Sequence, residues 1–206
     1  YFGPMDVEPF KELIAKEHKM ADEPKVVVAE KKYALQETQQ NEVVIAPYDA
    51  KNIYLMQIHN ENKPWTADSE PIVTLFNEYF GGGMNTIVFQ ELREARGLAY
   101  SASAWYNTPS VKEDPEWYYT NIISQNDKMM DCISVFNNIL DEMPQSENAF
   151  NVAKQALTKS LESRRTTRFS VLYKYLSNQY LGIDYDINEK IYNALPSLTL
   201  QSIVDF

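Results

Sequence analysis

Apolar residues recur three and four positions apart along several stretches of the chain, which is the spacing of amphipathic helices. The clearest case is the stretch from Met129 to Leu140, where Cys132, Ile133 and Phe136 complete one apolar face. Pro144 and Gly182 mark helix ends, and Ser146 is a good helix N-cap. The pattern predicts helices over residues 7–20, 68–80, 85–95, 127–142, 146–165 and 168–181.

Short runs of β-branched and aromatic residues lie between these helices and predict strands. The predicted strands cover residues 26–28, 43–45, 53–58, 98–106 and 117–124, with a hairpin turn over residues 47–50. Most strands precede the last run of helices, an order typical of the α+β class. We therefore expect a mainly antiparallel sheet with helices packed on one face.

The distribution of these elements predicts two parts of unequal size. Residues 1–25 form a charged helix and a linker, which we expect to belong to a preceding domain. Residues 26–206 form one domain large enough for a hydrophobic core. Thr199 is a good N-cap for a helix that has barely begun when the sequence stops. We therefore expect this chain to be a piece of a longer protein, truncated at its C-terminus.

The net charge of −10 narrows the classes of partner. An acidic surface repels phosphate backbones and anionic lipids, so we expect neither nucleic-acid binding nor membrane binding. The sequence contains no apolar run of about 18 residues and no recognisable targeting signal. It therefore predicts no localisation.

The residue types used in catalysis form no complete site in the sequence. The two histidines, His18 and His59, belong to neither H-x-x-E-H nor H-E-x-x-H, the paired motifs of zinc peptidases. The single cysteine, Cys132, lies on the apolar face of a predicted helix, which favours a buried inert thiol. We expect no metal ligand and no catalytic residue in this chain.

One segment is far more specific than the rest. It reads YFGGGMNTIVFQELREARGLAYS over residues 79–101, with a glycine-rich turn followed by a helix and a strand. This segment resembles the second-half domain of insulinase/pitrilysin-type zinc metallopeptidases, and it is also similar to mitochondrial processing peptidase subunits. The resemblance extends more weakly over most of the remaining chain.

The resemblance implies a division of labour between two homologous halves. One half carries zinc in an inverted H-x-x-E-H motif, and the other, non-catalytic half closes a chamber and holds peptide substrates. Because this chain lacks the motif, the resemblance places it in the second class. It implies no cofactor here, zinc in the catalytic half of the parent enzyme, and that half as partner, in the same chain or in another subunit.

The family's substrate-holding Arg/Tyr pair corresponds to Arg93 and Tyr100 in this sequence. Arg93 lies near the end of a predicted helix and Tyr100 opens the next strand, so both side chains can reach one cleft. Two alternatives remain: Arg93 pairs with Glu91, Glu94 or a neighbouring helix, and Tyr100 is a core residue of its strand.

Other features of the sequence also have two interpretations. We expect Gly81, Gly82 and Gly83 to form a helix end and tight reversal with positive φ; the alternative is a loop that guides substrate. The basic cluster of Arg164, Arg165 and Arg168 favours a helix C-terminus over an acidic peptide or a partner domain. Strand alternation predicts that about half of the aromatic side chains near 105 and 118 point to each sheet face.

The sequence thus predicts a non-catalytic substrate-positioning domain of a multi-domain zinc peptidase, inactive as an isolated fragment. The rival hypothesis is a structural or assembly subunit that shares the fold without any hydrolytic activity. Retention of both Arg93 and Tyr100 favours the peptidase, because a scaffold has no need of that pair.

Overall fold

A computed structural model describes residues 1, 3–19, 25–29, 31, 33, 36–60 and 62–206. In the described part of the chain the strands are β1 (Asn52–His59), β2 (Ala99–Asn107) and β3 (Trp117–Gln125). They form an antiparallel sheet in the order β1-β3-β2. Strand β1 pairs with β3 from Asn52 opposite Gln125 to His59 opposite Tyr118.

Two of the five expected strands are wrong. Residues 26–28 and 43–45 are described without strand structure, and their side chains are 83% to 93% exposed. A β-branched run becomes a strand only where a neighbouring strand and a packed face receive it. The hairpin expected around residues 47–50 is consequently absent from the described range 36–60 as well.

The helices lie close to where the apolar spacing predicted them. In the described part of the chain the α-helices are α1 (Val7–Glu17), α2 (Glu70–Phe80), α3 (Ile87–Phe89), α4 (Met129–Asp141), α5 (Glu147–Ser163), α6 (Arg168–Leu181), α7 (Ile187–Ala194) and α8 (Leu200–Asp205). Ser69 precedes α2 and Pro71 lies in its first turn. Gly182 follows α6 with φ 69°, as a helix C-terminus favours.

The hydrophobic core lies between the helices and one face of the sheet. Ala102, Ala104 and Ile122 come from the sheet, and α2, α4, α5, α7 and α8 each contribute buried residues. Tyr79 of α2 makes both an aromatic contact and a hydrogen bond in this core. Its ring lies 6.4 Å from that of Phe150, and its hydroxyl donates to the carbonyl of Pro144 at 2.7 Å. The predicted α+β fold with helices on one face is confirmed.

The N-terminal segment stands apart from this core. Helix α1 has no buried residue, and the aromatic ring of Phe10 stacks at 3.9 Å on that of Tyr1 within the same segment. Described hydrogen bonds to the rest of the domain come later, where Asn60, directly after the first strand, donates from its side-chain amide nitrogen to the Gln36 carbonyl at 2.9 Å and accepts from Thr38 N at 2.6 Å. The assignment of residues 1–25 to a preceding domain stays a prediction. No helix in the described ranges is long and apolar enough to cross a bilayer.

Candidate functional site

Arg93 lies on a helical turn that departs from regular α geometry. Helix α3 continues as a π-helical turn over Gln90–Glu94, an irregularity that the apolar spacing did not predict. Buried Leu92 anchors this turn in the core, and Gly97, with φ 58°, reverses the chain after it. A π-turn inserts one residue and rotates the side chains that follow it, and such turns are frequent at functional sites.

Tyr100 is the extra residue of a β-bulge near the start of β2. Ala99 is opposite Ser124 and Ser101 is opposite Ile123, so Tyr100 has no partner in the strand register. Bulges re-aim a side chain away from the regular alternation of the strand. The Tyr100 side chain is 73% exposed, so the alternative that Tyr100 is a core residue is wrong.

The two predicted residues lie side by side. The guanidinium carbon of Arg93 is 5.6 Å from the centroid of the Tyr100 ring and 5.0 Å from that of Phe89. Arg93 Nε lies 3.6 Å from the Glu94 carboxylate, while Glu91 pairs with Arg96 instead. Because the side chains of Arg93 and Glu94 are 44% and 54% exposed, this ion pair is weak and leaves the guanidinium available to other acceptors.

A shallow cleft of about 260 Å³ adjoins Tyr100, and no sequence motif indicated its other polar residues. Asn52, Gln125 and Lys128 line it together with Tyr100. The ammonium group of Lys128 donates to the carbonyl of Gly97 at 3.1 Å, which fixes the lysine beside the chain reversal. The cleft thus combines hydrogen-bond donors and acceptors from three separate segments, a convergence that only the fold produces.

Close packing explains Gly81, the first glycine of the run. The expectation that it needs positive φ is wrong, because Gly97 and Gly182 are the glycines with positive φ among the described residues. A Cβ on Gly81 would lie 2.1 Å from the carbonyl oxygen of Ala104, whereas one on Gly83 would meet nothing within 4 Å. Gly81 therefore allows the end of α2 to approach β2, and its own carbonyl accepts from Ala104 N at 3.2 Å.

The aromatic residues of β2 and β3 divide between the two faces of the sheet. Trp105 is opposite Tyr119 in the register, and their rings stack at 6.3 Å on the face away from the helices. Tyr106 turns to the helical side, where its ring lies 5.1 Å from that of Phe206. Tyr118 packs on the same side against the core, and burial raises the pKa of its hydroxyl to about 12. Trp105 and Tyr119 are therefore half-buried residues of the outer sheet face, whereas Tyr118 packs against the core.

The three arginines of the basic cluster have different surroundings. Arg164 follows α5 directly and donates to the amide oxygen of Asn188 at 2.7 Å, as its expected place at a helix C-terminus suggests. The guanidinium of Arg168 lies 5.4 Å from the Phe169 ring at the start of α6. Among the described residues neither Arg165 nor Arg168 lies in an ion pair with a carboxylate.

The described residues offer no ligand set that fits a catalytic zinc ion. Within them, no three His, Cys, Asp or Glu side chains are grouped closely enough to hold a metal. Cys132 is fully buried in α4, as its position on the apolar helix face predicted. What Arg93 and Tyr100 themselves can offer a bound molecule is hydrogen bonding and electrostatic stabilisation.

Comparison with known proteins gives relatives of this fold. A curated relative is the "Non-peptidase homolog YmxG" of Helicobacter pylori, 26% identical over 129 residues, which are 61% of this chain and 29% of that protein. A peptidase M16 inactive domain from Pseudomonas fluorescens is 17% identical, with a TM-score of 0.61 over 76% of this chain and 37% of that one. The periplasmic protease PqqL of Escherichia coli is 14% identical, with a TM-score of 0.65 over 98% of this chain and 22% of that one.

These matches show the family of this chain and the share of each relative's length that it covers. This chain spans well under half the length of each of those relatives, so its fold occurs within longer chains. Residues 2–157 match the family described as "Peptidase M16 inactive domain". The predicted resemblance to insulinase/pitrilysin-type peptidases is confirmed, and because the match covers more than half of the sequence, this chain belongs to the peptidase M16 inactive-domain family.

Proposed function

We propose that this chain is the substrate-positioning, non-catalytic domain of a multi-domain zinc metallopeptidase that hydrolyses peptides. Zinc and its H-x-x-E-H ligands then belong to a homologous half, in the same polypeptide or in a partner subunit. The observation that carries the proposal is the contact between Arg93 and the exposed ring of Tyr100, 5.6 Å apart. This chain alone is expected to cleave nothing.

The chemistry of the pair suits a peptide held near a metal in another domain. The Arg93 guanidinium presents a planar fork of donors to a peptide carbonyl or a carboxylate. The Tyr100 hydroxyl donates to an oxygen that gains negative charge as the peptide bond is attacked, which supplements the metal. Neither group activates water at neutral pH, so the pair contributes to hydrolysis only beside the zinc half.

The exposed sheet face supplies a wall on which a peptide can lie. Trp105 and Tyr119 present stacked rings there, and Tyr54, Met56 and Ile58 of β1 extend the surface with side chains more than half exposed. Such a surface buries varied side chains without requiring one sequence. We propose that it lines the chamber in which Arg93 and Tyr100 act on peptides.

A second function is favoured by the name of the curated relative, the non-peptidase homolog YmxG. In this alternative the parent protein has no hydrolytic activity, and the domain serves assembly or structure. Arg93 and Tyr100 are then inherited without a role in turnover. The two functions differ in whether a zinc-carrying half is present and active.

Zinc analysis of the full-length parent protein tests the choice between them. Zinc content is measured by mass spectrometry on protein purified without affinity tags, beside cleavage of a quenched fluorescent peptide with and without chelator. About one zinc for each pair of halves, with cleavage lost to chelator and restored by zinc, supports the peptidase. A folded, assembled parent with neither zinc nor cleavage supports the structural alternative and rejects the peptidase.

A further inference from the structure

Helix α6 presents an apolar side to solvent, whereas a surface helix normally buries its apolar side against the core. Five of its apolar residues recur at the three- and four-residue spacing that places them on one side, over an arc of about 100°. All five are exposed, from Leu172 at 44% to Tyr173 at 73%, and Val171 and Tyr175 are exposed on another side, at 38% and 61%. We call this set the outward face of α6; its members are Phe169, Leu172, Tyr173, Leu176 and Tyr180.

The polar side of α6 makes the contacts with the rest of the chain. Lys174 lies 3.5 Å from the Asp186 carboxylate, and the amide nitrogen of Asn178 donates to the Tyr185 carbonyl at 2.8 Å. The helix contains no buried residue. Its attachment therefore relies on polar contacts, while its apolar side chains remain in water.

Such an arrangement is unfavourable unless another surface covers the apolar side. Contiguous exposed apolar patches of this kind mark interfaces, and aromatic residues are enriched at interface centres. Tyrosine and phenylalanine contribute three of the five side chains on the outward face of α6. The geometry thus indicates a docking surface for a folded partner.

Charge and chain length favour one kind of partner. Residues 163–183 contain four basic and no acidic side chains in a chain of net charge −10, and Arg165 and Arg168 flank the start of α6 without a described carboxylate partner. A cover with carboxylates at its rim complements them. The net charge disfavours anionic lipid and, to a lesser degree, a second copy of this acidic chain.

We infer that the outward face of α6 docks against the homologous half of the parent protein, on an apolar patch with an acidic rim. The inference rests on the proposed function for the identity of that partner. In PqqL the matched region is 22% of a longer chain and includes nearly all of this one, so a chain of that kind has further residues available to cover such a face. A half in the same assembly is present at high effective concentration and needs no separate encounter.

Site-specific photocrosslinking in the full-length parent tests the inference. A benzophenone amino acid replaces Tyr173, and in a control protein it replaces Met130 of α4, which is exposed to nearly the same extent, 72% against 73%. After irradiation and digestion, mass spectrometry identifies the joined peptides. We expect the probe at position 173 to join a peptide of the homologous half of the same assembly, and the probe at 130 not to give that product.

Other products at position 173 overturn the inference: a crosslink between two copies of α6, a crosslink to lipid, or none. Hydroxyl-radical footprinting of the unmodified parent guards against a disturbed variant. Tyr173 and Tyr180 should be protected from oxidation relative to Tyr175, which is 61% exposed on another side of the same helix. Equal oxidation of all three tyrosines contradicts docking.

This readout is independent of catalysis. A parent that gives the crosslink but contains no zinc and cleaves no peptide retains the docking surface and loses the proposed peptidase. A parent that cleaves peptides in a zinc-dependent way without the crosslink retains the peptidase and loses the docking surface.

Discussion

At the scale of single residues, two local irregularities bring Arg93 and Tyr100 together. The π-turn over Gln90–Glu94 turns Arg93, and the bulge at the start of β2 turns Tyr100 out of the strand register. Gly97 joins them by reversing the chain, with its amide donating to the Arg93 carbonyl at 2.9 Å. Irregular backbone of this kind is retained where a side chain has to be aimed.

Substitution of this pair should affect turnover by the parent peptidase. We expect Arg93→Ala or Tyr100→Phe to lower peptide turnover by roughly 10- to 1000-fold, the scale for loss of a donor to the transition state. Both side chains are exposed, so the melting temperature should change little. Steady-state kinetics on the full-length protein checks this prediction.

Arg96→Ala is the matched control for Arg93. Arg96 lies in the same motif but pairs with Glu91, away from the Tyr100 ring, so turnover should stay near that of the unmodified protein. Unchanged turnover in both Arg93→Ala and Tyr100→Phe would reject the substrate role of the pair.

The glycine run offers a prediction with an internal control. Gly81→Ala should lower the free energy of unfolding by about 1–3 kcal/mol, because the added Cβ meets the Ala104 backbone at 2.1 Å. Gly83→Ala should be neutral or stabilising by up to about 1 kcal/mol, because its Cβ meets nothing and the unfolded chain loses freedom. Urea unfolding of the two variants measures both changes; equal effects would contradict the packing explanation.

At the scale of elements, the helices differ in what holds them in place. Helices α2 and α4 bury their apolar faces in the core, whereas α6 relies on its ends and on polar contacts. The Thr167 hydroxyl accepts from Ser170 N at 3.3 Å, and Ser170 Oγ accepts from Thr167 N at 2.8 Å. This capping box contributes a larger share of the stability of α6 than a cap does in a buried helix.

Thr167→Ala should therefore loosen α6 selectively. Loss of the cap costs about 0.5–2 kcal/mol, and hydrogen exchange of the α6 amides should accelerate accordingly. Thr199→Ala, which removes the equivalent capping box of α8, should leave exchange in α6 unchanged. Hydrogen-exchange mass spectrometry measures the exchange rates of the α6 amides in both variants. Unaltered α6 exchange in Thr167→Ala would show that the cap is unimportant.

At the scale of the whole molecule, the core belongs to the region from β1 onward. The side chains described before residue 36 are exposed, apart from half-buried Phe10, which stacks on Tyr1. Truncation tolerance follows burial and hydrogen bonding of the affected segment. We therefore expect the described residues before 36 to contribute little to the stability of the domain.

A chain that starts at residue 36 should consequently unfold like the whole. We expect its free energy of unfolding to lie within about 0.5 kcal/mol of that of the full sequence, as for changes outside the core. Leu92→Ala, at a fully buried position, should by contrast lower it by about 2–5 kcal/mol. Urea unfolding compares the three proteins. A large loss on truncation would place residues 1–35 in the cooperative unit.

Most of the local structure, and the family, can be read from the residues alone. Apolar spacing located the helices because helix formation follows local periodicity and capping, which neighbouring residues decide. The segment from Tyr79 to Ser101 is specific enough to indicate the family by its own pattern of residues. It also indicates Arg93 and Tyr100, whose role in substrate binding stays a prediction.

Features that depend on contacts between residues far apart in the sequence are decided only by the tertiary structure. The runs at 26–28 and 43–45 have strand composition and form no strand, because no described strand or packed face receives them. Packing between segments far apart in the chain likewise decides the close approach of Gly81 to Ala104 and the side of the sheet taken by Trp105. It also leaves the apolar face of α6 uncovered. Local sequence encodes propensity, whereas burial is a property of the whole fold.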